Sequence, residues 1–204
     1  MAEQNCYVNR ELSWLKFNQR VMEESQDFSN PLCERLSFLS IFQSNLDEFF
    51  MVRVGSLFEK MQISNKIREN KTNMTCKEQL DAIFEKVRHM LHEKDKTYRK
   101  LQNDLKTEGV EIVDFHTITQ QEADYLQSYF QTEIEPLLSP QIIGKKQPFP
   151  FLQNKEIYAV VVLEKKGSEK LGIVPCSSDV FPKYITLPDQ KNRFILTEEL
   201  ILHF

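Results

Sequence analysis

Glycine is scarce in this chain, five among 204 residues, and no G-x-x-x-x-G-K-[ST] run is present. A backbone loop wrapped round a phosphate needs such glycines, so a phosphate-loop nucleotide site is excluded. Cys6, Cys33, Cys76 and Cys176 are scattered, with no C-x-x-C and no Cys/His spacing that could hold zinc. Reduced thiols of a cytosolic protein are the expected state. No apolar run approaches the ~20 residues of a membrane-spanning helix, and no stretch has the pattern of a secretory signal. A strong positive charge is missing too: the formal net charge is −4. Neither half offers the basic face with which proteins grip nucleic acid, so nucleic acid is not an expected partner.

What is present is a composition of 41% hydrophobic and 27% charged residues, near the averages for folded globular domains. Residues 1–107 carry 17 basic and 16 acidic side chains, net +1, while residues 108–204 carry 9 and 14, net −5. That contrast points to two domains, 1–107 and 108–204.

In the first half the apolar period is helical. A helix is expected from Glu11 to about Gln26, with Leu12, Leu15, Val21 and Met22 on one broad face beside Trp14 and Phe17. Asn30 and Pro31 read as the cap and first position of the next helix. From Pro31 to about Gln62 apolar residues fall on two stripes, one with Leu32, Leu36, Leu39, Leu46 and Phe50, the other with Phe38, Ile41, Phe42, Phe49 and Val52. A helix apolar on both sides is expected to be central and buried, and Ser44-Asn45 is a candidate kink or junction. Residues 65–73 read as a loop. Thr75 and Glu78 form a capping box for a long helix, Cys76 to Lys106, stopped at Gly109. The first domain is thus a helical bundle.

After Gly109 short β-prone runs take over: 110–113, 157–163, 171–174, 184–187 and 194–196. Lys165-Lys166-Gly167-Ser168 reads as a hairpin turn. One helix interrupts, from a capping box at Thr119 and Glu122 to Ile134, ended by Glu135-Pro136. The last residues, Thr197 to Phe204, read as a capped helix barely begun, with an exposed apolar end such as a cut within a domain leaves. The fold class is α+β, a helical bundle followed by part of an α+β domain.

Three segments stand out: Glu11-Leu12-Ser13-Trp14-Leu15-Lys16-Phe17-Asn18-Gln19-Arg20-Val21, Pro31-Leu32-Cys33-Glu34-Arg35-Leu36-Ser37-Phe38-Leu39-Ser40-Ile41, and Asn45-Leu46-Asp47-Glu48-Phe49-Phe50-Met51-Val52-Arg53-Val54. Together they resemble the opening of the bacterial polyphosphate kinases that work through a phosphohistidine. Gln147 to Leu152, Ile173-Val174-Pro175 and Arg193 to Leu196 extend the likeness more loosely. The resemblance implies reversible transfer of the terminal phosphate of ATP to inorganic polyphosphate, with Mg2+, in a cytoplasmic homodimer that can lie peripheral to the inner membrane. It implies further that the chain is an amino-terminal fragment, a helical domain plus the start of a head domain. The phosphorylated histidine would then lie beyond residue 204, leaving the fragment alone inactive.

Asn45 is the candidate site residue. It falls on an apolar stripe, where a buried amide without a partner costs about 1 to 3 kcal/mol, so something must satisfy it. One reading is a hydrogen bond to nearby backbone at a helix junction. The other is an adenine contact, since a carboxamide offers both a donor and an acceptor. The resemblance implies the second, with Asn45 binding ATP.

Asp47 and Glu48 point about 100° apart on a helix and cannot alone cage a metal. Ion pairs with Arg20, Arg35 or Arg53 are the expectation for them and for Glu34, with phosphate contact the alternative for the arginines. His89 and His92 read as solvated helix positions, His116 lies in a turn and His203 near the last residue. None matches the family's phosphorylated histidine, so no catalytic residue and no metal ligand is assigned. A rival reading is a non-catalytic helical interaction module using the long helix as its docking face.

Overall fold

The computed structural model describes residues 7–64, 66–144, 148–165, 167–176, 180–188 and 192–204. Cys6, Asn65, Gln147 and Lys166, to which the readings above refer, lie outside them. The chain divides into two compact units, Met1–Thr107 and Glu108–Phe204.

The first unit is all helical. Helix α1 spans Arg10–Glu24 and begins where Asn9 Oδ1 accepts the N–H groups of Glu11 and Leu12, two of the donors that a helix start leaves orphaned. Helix α2 spans Leu32–Phe49. Pro31, not Asn30, takes its cap position. The Asn30 amide is engaged elsewhere, donating to the Glu24 carbonyl and carboxylate at the end of α1.

Helix α2 runs unbroken through Ser44 and Asn45, so no junction lies there. The irregularity comes five residues later as a π-helical turn over Phe50–Val54, followed by α3, Gly55–Ile63. The expected all-round burial is also corrected. Leu39, Phe42, Leu46 and Phe49 are buried, whereas Ile41 and Val52 are 47% and 58% exposed.

Helix α4, Cys76–Thr107, starts at the expected capping box. Thr75 N–H donates to the Glu78 carboxylate and Glu78 N–H to Thr75 Oγ1. At 32 residues it is a rod of roughly 48 Å. It lays Leu80, Ile83, Val87, Met90 and Leu101 against α1 to α3. Each such side chain wholly removed from water contributes about 1.5 to 3 kcal/mol. Gly109, with φ +80°, takes the left-handed conformation that lets the chain leave the helix.

The second unit is mixed. Strands β1 (Glu111–Ile112), β5 (Tyr184–Thr186) and β6 (Arg193–Leu196) form one sheet in the order β1-β6-β5, with β1 parallel and β5 antiparallel to β6. Strands β2 (Gln141–Ile143), β3 (Tyr158–Lys165) and β4 (Ser168–Pro175) form an antiparallel sheet in the order β2-β4-β3. The β3–β4 pairing closes at Lys165 opposite Ser168, with Gly167 at φ +73°.

Helix α5, Gln120–Tyr129, carries the expected Thr119/Glu122 capping box and passes into a π-helical turn, Phe130–Ile134, and a 3-10 turn, Glu135–Leu137. Helix α6, Thr197–His203, has the expected exposed apolar end, Leu202 at 67% and Phe204 at 46%, although His203 stacks on Phe115 and Phe204 on Phe130. Earlier in the helix Leu200 and Ile201 are buried and join Val113, Leu126, Phe130, Ile134 and Ile195 in a second core.

Candidate functional site

Asn45 is half-buried on α2, between sealed core and open cleft. Its side chain meets that of Asn18 on α1, which is fully buried. Asn45 Nδ2 donates to Asn18 Oδ1 at 3.0 Å, and Asn18 Nδ2 donates to the main-chain carbonyl of Phe42 at 3.1 Å. The amide is therefore satisfied by another side chain rather than by adjacent backbone. Among the described residues no donor reaches Asn45 Oδ1, and no buried side-chain nitrogen or oxygen lacks a partner. That oxygen is therefore at the surface.

Its surroundings are mixed. Ile41, one turn before Asn45, and Glu48, three residues after it, are both exposed, and Phe17, next to Asn18 on α1, is exposed as well. Beneath them Trp14 stacks on Phe49 with ring centroids 4.5 Å apart. A carboxamide edge at the surface beside exposed apolar side chains can accept a flat heteroaromatic ring, with hydrogen bonds at its edge and apolar contact on its face.

Asn18 was missed in the sequence. The signal was available, since it lies three residues after Leu15 and four before Met22, a polar side chain inside the buried stripe of α1.

The charged candidates do other work. Arg35 is buried and donates to the Ser25 carbonyl and Asp104, with its guanidinium 4.5 Å from the Phe28 ring. Arg53 lies 3.9 Å from Glu11, which is buried and also held by Arg10 at 2.9 Å. Arg20 is exposed. The expected partners Glu34, Asp47 and Glu48 do not hold Arg35 or Arg53, which pair across to other helices, with Asp104 on α4 and Glu11 on α1. Gln43 instead donates to Asp47 and accepts from Lys94, and Glu48 is exposed.

Among the described residues no three of His, Cys, Asp and Glu converge as metal ligands. His89, His92, His116 and His203 are all exposed. A groove of about 670 Å3 between α1 and α4, lined by Leu12, Lys16, Lys86 and His89 among others, does not include Asn45.

In the second unit the main polar node is Arg193, which binds Glu111 at 2.9 Å and also Glu122. Burial pushes the Glu122 carboxyl up, but the Thr119 hydrogen bonds and the Arg193 charge outweigh it and hold the group below its ordinary range. The node joins β1, β6 and α5, which makes it structural.

Comparison with known proteins bears on both units. Residues 7–113 match the polyphosphate kinase N-terminal domain and residues 121–204 the polyphosphate kinase middle domain. The chain is 42% identical over 207 residues to polyphosphate kinase of Bacillus anthracis, covering 97% of this chain and 29% of the relative. It is 42% identical over 210 residues to that of Halalkalibacterium halodurans, covering 100% and 30%. The crystal structure of polyphosphate kinase from Porphyromonas gingivalis superposes with a TM-score of 0.79 at 27% identity, over 96% of this chain and 30% of that one. The chain thus spans somewhat under a third of these relatives, and it belongs to the polyphosphate kinase family, aligned with the amino-terminal part of its members.

Proposed function

We propose that this chain forms one wall of the nucleotide site in an enzyme that transfers the terminal phosphate of ATP reversibly to inorganic polyphosphate through a phosphohistidine. The observation that carries this reading is the Asn45 carboxamide, tethered by Asn18 with its oxygen at the surface one turn from the exposed Ile41. Asn45 binds the adenine edge. The described residues do not fit a Mg2+ cage, Asp47 being engaged by Gln43, so no step is assigned to a metal on this chain. None of the four histidines is assigned as the nucleophile, which belongs to the part of the enzyme that the relatives possess beyond the matched segment. Units 1–107 and 108–204 are the helical domain and the first part of a head domain. The head supports a homodimer in the cytoplasm, and Val160 and Val162 leave apolar surface there for it.

The test is Asn45→Ala in a full-length polyphosphate kinase carrying this segment. Loss of one base-edge pair raises KM for ATP by roughly five- to tenfold with kcat nearly unchanged, as expected of binding lost equally in ground and transition states. An unchanged KM and an unchanged nucleotide Kd would overturn the reading and favour an interaction module that binds no nucleotide.

A further inference from the structure

The Asn18–Asn45 pair has a polarity, and the polarity has a fixed origin. The Phe42 carbonyl can only accept, so the end of the Asn18 amide facing it must be the NH2 group, as observed at 3.1 Å. The opposite end of the Asn18 amide, its oxygen, is then the one that faces Asn45, so Asn45 must present an N–H inward, as observed at 3.0 Å. What Asn45 has left for the surface is consequently its acceptor, Oδ1, on one side and its second N–H on the other, in a fixed order. Rotating Asn45 by 180° sets two amide oxygens against each other. Rotating Asn18 as well moves the same conflict onto the Phe42 carbonyl. Asn18 is 0% exposed, so water cannot relieve either arrangement.

We infer that the Phe42 carbonyl, acting through the buried Asn18 amide, fixes which end of Asn45 meets the nucleotide and so makes the site select 6-amino over 6-oxo purines. Asn18 is a positioning residue, touching Asn45 and not the base. For a purine held in one pose, Asn45 Oδ1 accepts from an exocyclic amine at position 6. It repels a carbonyl oxygen there, as in inosine or guanosine nucleotides. An unlocked carboxamide would rotate to serve either, and discrimination would be lost. A site built to hydrogen-bond one group rejects an analogue that cannot pair, because a desolvated polar atom is left opposed.

This inference rests on Asn45 being the base contact, and the experiment separates the two. In a full-length polyphosphate kinase carrying this segment, kcat/KM is measured for ATP and ITP, which differ at position 6. The expected ratio is roughly tenfold or more in favour of ATP. Asn18→Leu, similar in volume but unable to orient the amide, should bring the ratio to within about threefold. Asn45→Ala should lose both the preference and the ATP affinity. If Asn45→Ala leaves ATP affinity unchanged, the base contact and the inference fall together. If it weakens ATP but Asn18→Leu keeps the preference, only the orienting role falls.

A measurement that needs no substitution guards against a variant that does not fold. In the wild-type chain, side-chain amide exchange followed by NMR should be slow for Asn18 and for one proton of Asn45. Free exchange of all of them would overturn the inference.

Discussion

The two units solve the same packing problem differently. In the helical unit, buried apolar residues from α1, α2, α3 and α4 meet in one cluster, and polar ties between helices far apart in sequence surround it. Asn9 donates to Gln79, Gln26 to Thr97, Arg35 to Asp104 and Lys94 to Gln43. In the mixed unit Arg193 makes two described long-range ion pairs, and Thr197 donates to the Pro182 carbonyl. The β2-β4-β3 sheet there leaves Val160 and Val162 on β3 at 58% and 66% exposure. Among the described residues the bundle spreads its polar ties over several helix pairs, and the sheet unit has them at Arg193 and Thr197 while leaving an apolar surface open.

The most severe way to break this contrast is a cavity in the closed core. Ile83→Ala removes a fully buried side chain and should cost about 2 to 5 kcal/mol. Calorimetry should show only the transition of the helical unit moving, and equal loss in both units would refute their independence. Arg193→Ala should cost the mixed unit about 2 to 3 kcal/mol, since it removes the cation paired with the buried Glu122 carboxylate and one bond to Glu111. By contrast Arg35→Ala also loses the packing on Phe28, so both variants measured together would show whether one arginine matters as much where ties are many.

Acid sharpens the comparison further. The Glu122 carboxyl sits below its ordinary value of 4.5 in the folded state. Its contribution is therefore fully present above that value and is lost as pH falls through the lowered one. Stability of the mixed unit, followed by circular dichroism, should fall in that window, and Glu122→Gln should flatten the fall. Smallest of all, Val162→Lys on the open sheet should change stability by no more than about 0.5 kcal/mol. A large loss would mean that the surface is covered in the folded chain.

What could be read from sequence followed from how local each rule is. The capping boxes at Thr75 and Thr119, the Gly109 stop and the β3–β4 hairpin depend on residues a few positions apart, and all were legible. Strand β2 was not, because Gln141–Ile143 is extended by pairing with Leu171–Ile173 and carries no turn signal of its own. The π-helical turn at Phe50–Val54 was not read; a kink or junction was expected at Ser44-Asn45 instead, since a polar pair looks like a break until Asn18 supplies its partner. Asn45 stood out through its motif, but its partner Asn18 did not, because that bond joins residues 27 apart on different helices. Ile41 and Val52 were misjudged because apolarity on a helix states what could be buried, and only the neighbours decide what is.

The bond from Asn9 to Gln79 closes a separation of 70 residues at 2.9 Å, and the same Asn9 caps α1. Chain synthesis at roughly 5 to 20 residues per second puts about 4 to 14 s between the appearance of the two side chains. During that interval α1 has its cap without its anchor, and its apolar face with no α4 to cover it. Order in this unit must therefore arrive late and together. A ribosome-bound chain ending before α4 should be readily cut by protease, and one extending past Thr107 should resist.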